Sequence, residues 1–77
     1  MQSTAFSYEI VEKIAVLSKN GDVSKELNKV SYNNTPAKHD LRNWKRENGE
    51  ERLLKGITLN KEETKALKDA LNSKTDI

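Results

Sequence analysis

From Phe6 to Ser18 the even positions run Phe6, Tyr8, Ile10, Glu12, Ile14, Val16 and Ser18, a period of two built from strong β-formers with one charged interruption. Successive side chains of a strand point to opposite faces, so the alternation predicts a long, bent first strand. Lys19-Asn20-Gly21-Asp22 is turn chemistry, because Asn and Gly tolerate positive φ, and a second strand is predicted over Ser24–Asn33. That strand has two unlike faces, with Lys25, Leu27, Lys29 and Ser31 on one and Glu26, Asn28, Val30 and Tyr32 on the other. Asn33-Asn34-Thr35-Pro36 ends it, since proline cannot donate to a ladder. The third strand, Lys38–Lys45, sets Lys38, Asp40, Arg42 and Trp44 on one face. His39, Leu41, Asn43 and Lys45 occupy the other, which is read as the buried one. A polar loop, Arg46–Glu50, leads to a short fourth strand over Leu53–Leu59, where Gly56 predicts a bulge or a close backbone approach.

The period then changes. Asn60 is an N-cap residue, Glu62 and Glu63 suit the positive end of a helix dipole, and a helix is predicted over Lys61–Asn72. Thr64, Leu67, Ala70 and Leu71 fall on one stripe of it, able to cover a sheet face or pair with a partner helix. The expected fold is α+β, four antiparallel strands followed by one C-terminal helix. It forms a single domain over residues 1–77, with an ordered core of about 6–72 and frayed ends.

Size adds a constraint. A chain of 77 residues buries only about 60% of the surface its unfolded form exposes, and the absence of cysteine removes disulfide and thiolate staples. Self-association is the remaining support. The start, Met1–Phe6, lacks the basic and apolar regions of a secretory signal. The mostly apolar stretch Ile10–Leu17 is interrupted by Glu12 and Lys13 and falls short of the ~20 residues that cross a bilayer. A soluble cytoplasmic protein, not a secreted one, is expected.

The formal net charge is only +2, but its distribution is uneven. Lys25, Lys29, Lys38, Arg42, Lys45 and Arg46 face only Glu26 and Asp40 between residues 24 and 46, a local excess of +4 that suits either a polyanion or an ordinary solvated surface. Glu50-Glu51 and Glu62-Glu63 are adjacent pairs that point apart, with no nucleophile, activated base or phosphate-cradling glycine loop beside them. His39 has no metal-ligating companions and reads as a structural residue. An enzyme is not expected, and no cofactor or metal is implied.

Asp40-Leu41-Arg42-Asn43-Trp44, followed after a polar loop by Lys55-Gly56-Ile57-Thr58-Leu59-Asn60 and an acidic helix start, is similar to the signature of the positive-cofactor-four transcriptional coactivators. Lys25–Asn33, and Tyr8–Glu12 at the start of the first strand, resemble the bacterial YdbC-type branch of that family. The likeness spans about residues 6–72. It implies a ββββα subunit whose curved sheets form a saddle in a symmetric homodimer. The saddle holds single-stranded DNA with little sequence preference, protecting or organising exposed strands in transcription, replication or repair, in a bacterial cell at the nucleoid. RNA binding, or a protein-interaction module recruiting transcription or replication proteins on the same scaffold, stays open.

Single strands are held by cations that track phosphates and by flat rings on which bases stack. Trp44 shares a predicted face with Arg42 and Lys38, which makes it either a stacking platform or a core or interface residue. Arg42 matches the arginine of the family motif and either pairs with phosphate or stacks on a base, or else forms an ion pair with Asp40 or Glu26. Lys25, Lys29, Lys38 and Lys45, with Lys55 from the Lys-Gly-Ile motif, complete the expected cation set, and Tyr32 and Asn33 lie where the resemblance implies stacking or polar contacts. Ile57, Leu59, Thr64, Leu67 and Leu71 are the expected dimer interface, because helix and last-strand contacts build the dimer in that family.

Overall fold

A computed structural model describes residues 6–77; the fraying expected before residue 6 lies outside the described residues. Four strands, β1 (Tyr8–Asn20), β2 (Val23–Tyr32), β3 (Lys38–Glu47) and β4 (Glu50–Leu59), precede a helix, α1 (Lys61–Ser73). The strands form one antiparallel sheet in the order β1-β2-β3-β4, so the expected ββββα architecture holds.

Local chemistry accounts for the connections. Gly21 takes a φ of 64° in the tight β1–β2 turn, and Asn33 and Asn34 take 52° and 64° after β2, the left-handed region that Gly and Asn enter at least cost. The polar loop expected over Arg46–Glu50 is instead a two-residue turn, Asn48-Gly49, with φ of 53° and 78°. Asn-Gly with both φ positive matches the twist of a two-residue hairpin. Strands β3 and β4 therefore run right up to it, pairing Arg46 with Glu51 and Glu47 with Glu50. Charged residues on both sides had hidden the alternation. Asn60 caps α1 as expected: its Oδ1 accepts from the Glu63 amide at 2.7 Å, and Glu63 Oε1 accepts from the Asn60 amide at 2.9 Å, a reciprocal capping box.

The sheet is strongly bent. Tyr8, on edge strand β1, donates its hydroxyl at 2.6 Å to Glu51 Oε1 on the opposite edge strand β4. A flat sheet would separate those strands by about 14 Å. Register shifts interrupt β1 at three places, Ile10/Glu12, Lys13/Ala15 and Val16/Ser18, and each bulge bends and twists its strand. They also change the parity of β1, so its even positions do not share one face: Tyr8, Ile10, Lys13 and Val16 lie opposite Tyr32, Val30, Asn28 and Glu26.

Curling decides which face is inside. The register places Ser24 beside Trp44, Glu26 beside Arg42, Asn28 beside Asp40 and Val30 beside Lys38. On this concave face Ser24, Glu26, Asn28, Val30, Asp40 and Trp44 are buried. The face of His39, Leu41, Asn43 and Lys45, expected to be the buried one, is convex and only half-covered, because side chains converge inside a bend and splay outside it. The helix lies over the convex side at His39 and Leu59, with Thr64 Oγ1 at 3.4 Å from His39 Nδ1. Val30 and Trp44 are the buried apolar side chains of the described chain. Ile14, Leu17, Ile57, Leu67 and Leu71 remain exposed.

Gly56 satisfies both expectations made for it. The β3–β4 register skips between Arg42 and Trp44, leaving Leu54 and Lys55 opposite Asn43 alone. A Cβ on Gly56 would overlap Cβ of Arg42 and stand 2.5 Å from the Leu41 carbonyl oxygen, so any side chain there has to push β3 away. None of the described helices is long and apolar enough to cross a membrane.

Candidate nucleic-acid interface

The concave face is floored by Trp44, whose ring has no exposed surface. Tyr8 covers it at a centroid distance of 5.6 Å and the Arg46 guanidinium lies 5.4 Å from the ring centre. A ring enclosed in this way presents no face to a base, so the stacking role expected of Trp44 gives way to the alternative of a core residue. Its Nε1 is the one buried side-chain polar atom without a partner among the described residues.

Arginine and carboxylate pairs line the walls. Arg42 donates from Nε and Nη2 to Asp40 at 2.8 Å each, and from Nη1 to the Leu54 carbonyl at 3.0 Å. Asp40 also accepts from the Tyr32 hydroxyl at 2.8 Å and from Thr58 at 3.3 Å. Hydrogen bonding to Asp40 raises the Arg42 pKa despite its burial. Burial, then the bond to Asp40, raises that of Tyr32. The ion pair with Asp40, weighed beforehand against a phosphate contact, is thus the arrangement adopted: a guanidinium already matched by a buried carboxylate has little charge left for a phosphate.

A second network repeats the logic. Arg46 bonds Glu26 at 2.6 Å and Glu51 at 2.8 Å, while Glu26 also accepts from Ser24 and, at 3.1 Å, from Asn28. Burial alone would raise the Glu26 carboxyl, but the bonds from Arg46, Ser24 and Asn28 outweigh it and hold the group at about 2. Glu51 is lowered by the Tyr8 hydroxyl and Arg46, and the same Tyr8–Glu51 bond, with burial, pushes Tyr8 up to about 12.

Aromatic surface appears at the rim. Phe6 is 58% exposed and its ring lies 6.1 Å from that of Tyr8 and 5.8 Å from that of Tyr32, tilted by 34° and 32°. Arg42 stands 5.5 Å from the Tyr32 ring centre, a cation–π arrangement that stiffens the ledge. Asn33 holds the ledge in place, since its Oδ1 accepts from the Ser7 amide at 2.9 Å and its own amide donates to the Ser7 carbonyl at 2.8 Å. Its part is thus to anchor the start of β1. Phe6 and Tyr8 were missed as site residues from the sequence, although two aromatics two apart at the head of a strand were a usable signal.

The expected cations do not assemble on one surface. Arg42 faces the concave side, Lys38 does so by register at the end of β3, and Lys25, Lys29 and Lys45 register with the convex residues Asn43, His39 and Arg52. Lys25 and Lys55 line a convex cleft of about 450 Å³ with Leu17, Leu41 and Ile57. Lys29 and Lys38 meet in a different cleft, of about 390 Å³, beside the helix. The predicted interface residues Leu59, Thr64, Leu67 and Leu71 do come together, lining a cleft between helix and sheet with Ile14 and Leu27; Ile57 lies apart from it, exposed on the same convex side. Among the described residues no cluster of His, Cys, Asp or Glu could hold a metal ion.

Comparison with known proteins gives two results. The family model described as Transcriptional Coactivator p15 (PC4) matches residues 19–70. A protein of Treponema pallidum (strain Nichols), described as an uncharacterized protein, is 39% identical over 69 residues, covering 88% of this chain and 79% of the relative.

Proposed function

The chain belongs to the transcriptional coactivator p15 (PC4) family, and on that premise we propose that it binds single-stranded DNA with little sequence preference along its concave face. The observation that carries this reading is the ledge at the rim of a curved sheet where the Phe6 ring meets those of Tyr8 and Tyr32, with Lys38, which makes no ion pair among the described residues, on the same face. Bases stack on such rings whatever their sequence, each for about 1–3 kcal/mol, and the lysine accepts the phosphate charge. Arg42 and Arg46 shape the groove through their carboxylates. Exposed strands in transcription, replication or repair are the substrates that fit.

Anisotropy of a labelled oligo-dT should show tighter binding than to a duplex of equal length, weakening as salt rises because phosphate neutralisation releases counterions. Phe6→Ala removes an exposed ring without touching the buried networks, and should weaken binding about ten-fold, within the range expected for one stack. Equal affinity for duplex, or no binding at low salt, overturns the proposal. Stacking does not read the 2′-hydroxyl, so competition with a matched RNA oligomer assigns the sugar.

We further propose a homodimer built on the convex side. The exposed Ile14, Ile57, Leu67 and Leu71 and the apolar cleft between helix and sheet are surface left uncovered by a core that, among the described residues, has two buried apolar side chains. Sedimentation at tens of micromolar should give twice the chain mass, shifted to the monomer by Leu67→Glu; a wild-type monomer at that concentration would refute it.

A further inference from the structure

One basic cluster is left unused by the concave face. The cleft of about 390 Å³ at the helix flank is lined by Lys29 and Lys38 from the sheet and by Lys61, Lys65 and Lys68 from α1, with His39, Leu59 and Thr64 at its base and Asp69 as its one acid. On the helix the three lysines stand at i, i+4 and i+7, one continuous stripe. Leu67 and Leu71 lie on the other flank, against the apolar cleft, whose edge Lys68 shares; Lys29, Lys38, Lys61 and Lys65 do not line that cleft, so a partner seated there leaves them open to solvent.

Neither helix stability nor ion pairing explains this stripe. Cations suit the last turn of a helix, where the carbonyl dipoles point, yet α1 has no basic residue there, and Lys61 stands at its positive end. Lys65 pairs with Asp69 at 3.1 Å, but both are exposed, at 77% and 62%, and such a pair in water holds its charges weakly. Among the described residues Lys29, Lys38, Lys61 and Lys68 make no ion pair. Five ammonium groups thus surround one concavity against a single carboxylate, a field that calls for a polyanion.

We infer that this cleft is a second phosphate-binding track, which receives the backbone of a single strand as it leaves the concave face. The inference rests on the function proposed above. Continuity favours nucleic acid as the occupant: Lys38 belongs by register to the concave face and also lines the cleft, so one lysine joins the aromatic ledge to the helix stripe. Among the described residues His39 is the one ring lining the cleft, so it holds the backbone and leaves bases to the ledge. A strand long enough to round the end of β3 gains these contacts, and a short one does not.

The test compares two oligo-dT lengths, about six and about thirty nucleotides, on wild type and on a Lys61→Gln/Lys65→Gln/Lys68→Gln variant. Glutamine keeps the helix propensity of lysine, and circular dichroism checks that the fold is retained. The expected result is unchanged affinity for the short oligomer and at least about ten-fold weaker binding of the long one. The slope of log affinity against log salt for the long oligomer should flatten by roughly 2, at about 0.7 per phosphate released. Identical long-oligomer affinity and salt slope in the variant overturn the second track. Failure of wild type to bind the short oligomer overturns the concave-face function instead. Polyglutamate that binds wild type but not the variant, while the long oligomer binds both alike, reassigns the cleft to an acidic protein segment and likewise overturns it.

Discussion

Asp40→Ala should destabilise the protein by about 3–5 kcal/mol, the cost of leaving a buried charge without its partner. Asp40 has no exposed side-chain surface and Arg42 is only 14% exposed. The carboxylate is the common acceptor for Arg42, the Tyr32 hydroxyl and Thr58. Its loss strands a guanidinium and a phenol in a part-buried site, while the neighbouring acid Glu26 is already bonded to Arg46. For a domain of this size 1 kcal/mol moves the melting temperature by about 4–8 °C, so the variant should unfold some tens of degrees earlier, measured at matched protein concentration because association also contributes. Replacing both partners by Asp40→Leu/Arg42→Met should recover much of the loss, since an apolar pair of similar volume carries no desolvation cost. A single-variant loss below about 1 kcal/mol would mean that the network does not hold the sheet together.

Acid should act on the second network. Glu26 sits at about 2 in the folded chain, against 4.5 for the free side chain, so the folded state binds its proton less readily than the unfolded one. A carboxylate with a depressed folded pKa contributes stability that is complete above the unfolded value and disappears as pH falls toward the folded one. Stability should therefore hold from pH 7 to about pH 5 and drop between about pH 5 and pH 2, by roughly 3 kcal/mol at 1.36 kcal/mol per pH unit. Glu51, lowered by Tyr8 and Arg46, moves in the same direction. Denaturant midpoints across that range measure the fall. Glu26→Gln should start lower at pH 7 and show a shallower acid limb, because the titrating group is gone. An equally steep limb in the variant would place the acid sensitivity elsewhere.

Both predictions concern the groove's walls, and those walls shape the proposed function. The arginines that look, in a list of charges, like phosphate ligands are spent on carboxylates of their own sheet. They fix the bend that brings Phe6 and Tyr32 together and leave the polyanion to the lysines. The polar interior also explains why so little apolar surface is buried on the concave side, and why exposed aliphatic side chains gather on the convex one.

Much of this protein was set by its sequence acting locally. The strands follow from alternation, the hairpins from glycine and asparagine at positive φ, the helix start from Asn60 and Glu63, and the tight approach at β3–β4 from Gly56. All but the last depend on residues a few positions apart, Gly56 meeting Arg42 across the strand pair, and the family likeness lies in the same short motifs. What only the tertiary structure decided is the side each residue serves. Three bulges in β1 and the curl of the sheet made the face of Glu26, Asp40 and Trp44 the inside, neutralised Arg42, enclosed Trp44, and parted Lys25 and Lys29 from the concave face. A period of two says that neighbours point apart. It does not say toward which side a sheet will bend, because that is set by contacts such as Tyr8 with Glu51, between strands at opposite ends of the sheet.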